Sequence, residues 1–250
     1  MTILLMLGIA HVLGDYLCQP ECLAKKKTEK YKWLLLHAGI YGLIMLGAVF
    51  FCAKGGQALW GWLILAFSHF IIDFLRAYVA EKIWKKPMGR LNIFCMDQLL
   101  HVVAIVGVWY FLLQRNETAL LTNHKNMSGF WPVLVCSALT CVIWDPAAVL
   151  IRKVFDLFQP ASNTAQETKK AGRTPAVRSG EQIGKLERLI ISVLVLCGQF
   201  GAIGFVLTAK SVARFKQIET DRDFAERYLV GTLVSAVIAL LAGLAAKALL

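Results

Sequence analysis

The chain has 250 residues, 58% of them hydrophobic and 17% charged, with a mean hydropathy of +0.60 and a net charge of +11. A soluble domain of this length needs far more polar surface, so the composition excludes a water-soluble globular protein and makes lipid the main solvent. The positive charge does not mark a nucleic-acid face, because the basic segments carry almost no interleaved aromatic residues.

Apolar runs long enough to cross a bilayer recur at 2–19, 33–53, 57–79, 91–113, 130–151, 187–208 and 228–249. None alternates with period two, so the runs read as helices, and the fold class is all-α: a polytopic transmembrane bundle of about seven spans. The first run has no small-residue cleavage site before CQPECLAKKK and reads as a retained span. It contains HVLGDYLCQ, which places His11 and Asp15 four apart. The second run carries His37 in LLLHAGIY, and the third carries His69 and Asp73 in SHFIIDFLR. In the fourth, FCMDQLLH puts Asp97 and His101 again four apart. The fifth contains VIWDPAAVL, where Pro146 removes a helical hydrogen bond next to Asp145.

Residues 159–182 have no aromatic residue and read as a flexible cytoplasmic linker. That stretch separates a five-span block, 1–158, from a two-span block, 183–250. The sixth run has glycines at 198, 201 and 204. We expect it to cross fully. The alternative, a fold-back at Gly201, would return the basic residues from Lys210 to Arg227 to the side on which the run begins.

Charge placement sets an orientation. The segments after spans one, three and five hold Lys25, Lys26, Lys27, Lys30 and Lys32, then Lys82, Lys85, Lys86 and Arg90, then eight more basic residues from Arg152 to Arg188. Those after spans two and four hold Lys54, Arg115 and Lys125. Seventeen against three puts the N-terminus outside and the basic loops and long linker in the cytoplasm, as in a bacterial inner-membrane protein. The seven cysteines are odd in number and scattered, without zinc-ribbon spacing, and read as reduced packing residues.

This orientation gives the histidines and aspartates a common depth. Asp15, Asp73, Asp97 and His37 fall roughly 6–9 Å from the cytoplasmic ends of their spans, and His11, His69 and His101 roughly 12–15 Å. Spans one and three run inward and read His then Asp, whereas span four runs outward and reads Asp then His. Each carboxylate therefore sits on the cytoplasmic side of its histidine. A single HxxxD in a buried helix is more often a hydrogen-bonded pair than a ligand set, but four helices agreeing in depth point to one shared layer.

An ionised Asp near the bilayer centre costs roughly 2.5–3.5 kcal/mol. A divalent cation relieves that cost, and imidazole with carboxylate forms a suitable shell for zinc, with manganese or iron as alternatives. The expected metal ligands are His11, Asp15, His37, His69, Asp73, Asp97 and His101, supported by Asp145 as a neighbouring carboxylate. Helical bundles build such sites from inward-facing pairs on several helices.

The outer halves of these spans, such as WGWLILAF and VVAIVGVWYFLL, carry no charge, which favours one-sided chemistry over passage. The leading expectation is metal-assisted hydrolysis with Asp15 or Asp97 as catalytic base, acting on a membrane lipid or a phosphorylated molecule drawn to the flanking lysines. A divalent-metal or proton-coupled transporter is the alternative, and a non-catalytic membrane assembly partner is the third. No Gly-rich phosphate loop, nucleophile elbow or HExxH occurs.

Through HVLGDYLCQ at 11–19, LLLHAGIY at 34–41, SHFIIDFLR at 68–76 and FCMDQLLH at 94–101, the chain resembles a bacterial family of small multi-spanning membrane proteins, domain of unknown function 3307. A second block, 180–215, also looks like members of that family. The resemblance implies membership without a mechanism. Its likeness to membrane proteins labelled metal-dependent hydrolases is one of pattern.

Overall fold

The structure, a computed structural model, describes residues 1–80, 86–127, 129–157 and 175–250. Lys82 and Lys85, and residues 159–174 of the expected linker, lie outside the described residues. Residues 175–182 of that stretch are helical and open a longer helix. Among the described residues there is no strand, only one antiparallel bridge between Ala53 and Glu117.

The chain divides into two compact units, Met1–Cys141 and Val142–Leu250. The first holds α1 (Thr2–Val12), α2 (Glu21–Glu29), α3 (Tyr31–Cys52), α4 (Gly56–Leu75), α5 (Pro87–Val108) and α6 (Ala119–Lys125). The division falls inside α7 (Phe130–Phe155). The second unit continues with α8 (Pro175–Leu196), α9 (Phe200–Ala213), α10 (Phe215–Thr220) and α11 (Arg222–Leu249). Three π-helical turns extend first-unit helices: Leu13–Leu17 after α1, Arg76–Ala80 after α4 and Trp109–Leu113 after α5.

Among the described residues five helices are long and apolar enough to cross a membrane, and their number suggests a membrane protein: Tyr31–Cys52, Gly56–Tyr78, Pro87–Leu113, Phe130–Phe155 and Arg222–Leu249. The count reaches six if the bent pair Thr2–Leu17 and Cys22–Glu29 is one span. The expected seven therefore falls to five or six. The first run ends early because the chain turns by 84° between those two helices, around Pro20.

The sixth run is also not one crossing. Its helix stops at Leu196, Gly198 takes φ +73, and α9 restarts at Phe200. Glu187 Oε2 on α8 accepts from Lys210 Nζ on α9 at 2.5 Å. In a continuous helix these residues would stand about 35 Å apart. The two helices fold back on each other, at Gly198 rather than Gly201, and the expectation of a full crossing is corrected. At 14 residues, α9 is about 21 Å long, short of the roughly 30 Å hydrocarbon thickness.

Within the first unit the inward face of each helix follows the three-four spacing of a packed stripe. On α3 the buried positions are Leu34, His37, Tyr41, Met45, Val49 and Cys52; on α5 they include Phe94, Asp97, His101, Ile105 and Val108. The α1 stripe runs Ile3, Leu7, Ala10 and on to Gly14, and α4 adds Ala58, Gly61, Leu65, His69 and Asp73. Apolar side chains fill one end of this interior, around Leu7, Met45, Leu65 and Ile105. The histidines and aspartates continue the same stripes at the other end. In the second unit α8 packs on α11 through Ile191, Val195, Ala236 and Ala239, joined by Ile203 of α9.

Candidate metal centre

All seven expected ligand residues are buried, at 0–6% exposure. Four of them, Asp15, His37, His69 and Asp73, each place one ligand atom within 4.8 Å of all the others, and these could hold a metal ion. A second such group, Asp73, Asp97 and His101, shares Asp73 with the first.

The first group has closely matched spacings. His37 Nε2 lies 3.3 Å from Asp15 Oδ1, 3.2 Å from Asp73 Oδ2 and 3.1 Å from His69 Nε2, and His69 Nε2 lies 3.6 Å from Asp73 Oδ2. Four atoms placed tetrahedrally about 2.0–2.1 Å from a zinc ion stand about 3.3–3.4 Å from one another. The four spacings bracket that edge length.

The second group has its lone pairs free. Asp73 Oδ1, Asp97 Oδ1 and His101 Nε2 are buried with no hydrogen-bond partner among the described residues. His101 Nδ1 faces the Asp97 carbonyl oxygen at 2.8 Å, a contact that requires the proton on Nδ1 and leaves Nε2 as an acceptor. Ligating histidines are ordinarily held this way. His11 belongs to neither group. Its Nδ1 lies 3.2 Å from Tyr41 Oη, its Nε2 makes no hydrogen bond within 3.5 Å among the described residues, and its ring centroid is 5.0 Å from that of His101.

Several residues that sequence reasoning passed over complete the cluster. Lys27, only 5% exposed, donates from Nζ to Asp73 Oδ2 at 2.7 Å and lies 3.7 Å from Asp15 Oδ1. The 84° turn before α2 brings it there, and α2 packs against α3 and the π-turn at 76–80. Gln19, its amide oriented by its neighbours, accepts from Lys27 Nζ at 2.9 Å and donates to the Asp15 carbonyl at 2.6 Å. Arg76 donates from Nη1 to Asp97 Oδ2 at 3.0 Å, an oxygen that also accepts from Gln98. Tyr41 stacks on His69 with ring centroids 3.5 Å apart and planes within 4°.

Tyr41 can stand there because Gly14 has no side chain: a Cβ at Gly14 would lie 2.9 Å from Tyr41 Cδ2. The π-turn at 13–17, with Cys18 N–H bonded to the Leu13 carbonyl at 2.8 Å, carries Asp15. A signal for Tyr41 did exist in the sequence, since it follows His37 by one helical turn on the same stripe. For Lys27 there was none, because its place depends on the turn at Pro20.

Asp145 belongs to the second unit, where its Oδ1 accepts from Lys185 Nζ at 2.5 Å. Beside it Arg188, 2% exposed, donates to the Ile143 and Trp144 carbonyls at 2.6 and 3.1 Å, next to the helical bond that Pro146 removes. All seven cysteines are free.

Among known proteins, residues 3–129 match the model of a family described as protein of unknown function (DUF3307). The match takes in all seven His/Asp residues and stops short of the block at 180–215. No curated protein and no solved structure matches the chain.

Proposed function

Since the chain belongs to the DUF3307 family, whose description names no activity, we propose its role from its own residues: a membrane protein that holds divalent metal, zinc foremost, in the buried His/Asp layer of its first unit. The observation that carries this reading is the set of 3.1–3.6 Å spacings among His37, His69, Asp15 and Asp73. Three buried carboxylates face two side-chain cations, Lys27 and Arg76, with further lone pairs left over. A divalent ion balances that charge and engages the unused acceptors.

The two groups suit different tasks. Asp15, His37, His69 and Asp73 supply four protein ligands, a closed set of the kind that fixes an ion structurally. Asp73, Asp97 and His101 supply three, which leaves a coordination position for water or substrate. The shared Asp73 can serve both, since its Oδ2 stands by His37 and His69 and its Oδ1 has no hydrogen-bond partner among the described residues. Two-ion sites of this kind support hydrolysis by activating water and balancing charge on the leaving group.

The finer reading is a metal-dependent hydrolase acting on a lipid or phosphorylated substrate from the side of the basic loops, the cytoplasmic side. Asp15 and Asp97 are engaged as ligands in this arrangement. His11, whose ring stands 5.0 Å from that of His101 and whose Nε2 makes no hydrogen bond among the described residues, is then better placed than either to accept the proton of a bound water.

Elemental analysis of purified protein tests the core of this reading. We expect up to two zinc ions per chain, both reduced by Asp73→Asn, with His69→Ala emptying the first group alone. An absence of stoichiometric metal after zinc loading refutes it. Chelator-reversible cleavage of a phosphoester lipid in vesicles tests the hydrolase reading; metal uptake into vesicles without turnover replaces it with transport.

A further inference from the structure

We propose that the second unit carries a separate site for the phosphate of an anionic amphiphile. The place is a cavity of about 310 Å³ lined by the C-terminal end of α7, the N-terminal half of α8, the C-terminal end of α9 and the N-terminal part of α11. It shares no residue with the metal centre.

Its chemistry selects an anion. Arg152, Arg188 and Lys210 line it, against one lining carboxylate, Glu181. Lys210 also holds Glu187 at 2.5 Å, and Arg152 stands 4.0 Å from Glu181. Arg188 uses three of its five N–H donors, on the carbonyls of Ile143 and Trp144 and on Ser235 Oγ. The remaining two have no named acceptor among the described residues, on a side chain that is 2% exposed.

An independent observation points the same way. Tyr228 Oη and Thr232 Oγ1 are buried without a hydrogen-bond partner among the described residues, and both residues line the cavity. They lie one helical turn apart on α11, and Ser235 follows on the same face. Hydroxyls and a guanidinium with spare donors are the groups that a phosphate's oxygens accept from. A cation would meet the wrong sign, and an uncharged apolar ligand would leave the hydroxyls unpaired.

The position selects an amphiphile. All four helices pass here from charged ends, such as Arg152–Lys153 and Arg222–Arg227, into their apolar lengths. That is the depth at which a lipid phosphate lies. Ile151 and Phe155 form an apolar wall for the glycerol and first methylenes beside the polar groups.

The test uses the full chain in detergent, with phosphatidylglycerol, phosphatidylcholine and inorganic phosphate as probes. Native mass spectrometry counts retained lipid, and thermal shift reports phosphate. Phosphatidylglycerol should be retained above phosphatidylcholine. The near-isosteric pair Tyr228→Phe and Thr232→Val should weaken that retention about tenfold while leaving the lipid-free melting temperature and metal content unchanged. Arg152→Gln, at a side chain 47% exposed, gives a second variant that does not disturb the interior. Stabilisation of wild type but not the variants by phosphate alone assigns the site to the phosphate group itself. Stabilisation by the lipid only assigns it to the whole headgroup. Equal retention of the two lipids, or variants that bind as wild type does, overturns the proposal.

Discussion

Lys27→Met separates the charge balance of the metal centre from its packing. The Lys27 ammonium stands 2.7 Å from Asp73 Oδ2 and 3.7 Å from Asp15 Oδ1, with all three side chains at most 6% exposed. At an effective dielectric of about 20, the closer contact alone is worth about 6 kcal/mol before desolvation is set against it. Removing one partner of a buried pair typically costs about 3–5 kcal/mol, because the other charge is left uncompensated. For a protein of this size, roughly 2–4 °C of melting temperature corresponds to each kcal/mol, so the chelator-treated variant should melt about 10 °C below wild type. Zinc in the first group supplies two positive charges to the same carboxylates. With saturating zinc the gap should therefore close to within about 3 °C, the neutral Met filling the volume of the lysine stem. The assay is thermal unfolding of both proteins in detergent, with chelator and with zinc. An equal loss under the two conditions would mean that Lys27 and the metal do not serve the same carboxylates. No loss with chelator would mean that the ammonium plays no part in the balance.

Other substitutions probe the supports. Gly14→Ala places a methyl 2.9 Å from Tyr41 Cδ2, and should cost about 1–3 kcal/mol and lower zinc content, read by unfolding and elemental analysis together. Tyr41→Phe keeps the ring stacked on His69 but removes the partner of His11 Nδ1; because His11 is in neither ligand group, metal content by elemental analysis should stay as in wild type while metal-dependent cleavage falls about tenfold. Glu187→Lys alone should destabilise the α8–α9 hairpin by about 2 kcal/mol, and adding Lys210→Glu should restore most of it, as measured by thermal unfolding. A continuous helix through residues 187–210 would show no such rescue.

The helices and the polar layer were legible because both rest on periodicity. His11, His69 and His101 each stand four residues from an aspartate, and a three-four stripe places such pairs on one face whatever the neighbours are. Residues that reach the layer through a turn were not legible. Lys27 sits in a run of lysines whose number alone satisfies an orientation rule, and only the 84° turn distinguishes it from Lys25 or Lys26. Arg76 is similar: it lies inside the third apolar run with no role assigned by spacing, until α4 and α5 are packed and Asp97 comes within 3.0 Å. The break in the sixth run was visible as three glycines, but hydropathy does not choose among them. α8 ends at Leu196, and the positive φ falls at Gly198, three residues before Gly201. Asp145 resembled its fellow aspartates in setting, yet its carboxylate is held by Lys185, 40 residues on.

The π-turn at Leu13–Leu17 has a consequence for variation along this lineage. Such a turn is an α-helix with one residue too many, absorbed locally, so losing any one of those five positions would return the segment to ordinary pitch and redirect the side chains inside it, Asp15 among them. Substitutions at Leu13, Tyr16 or Leu17 can be absorbed one at a time, but a single-codon deletion within the turn takes Asp15 off its inward aim. Natural sequences of this kind should therefore tolerate changes of letter at 13, 16 and 17 far more readily than changes of length across the turn.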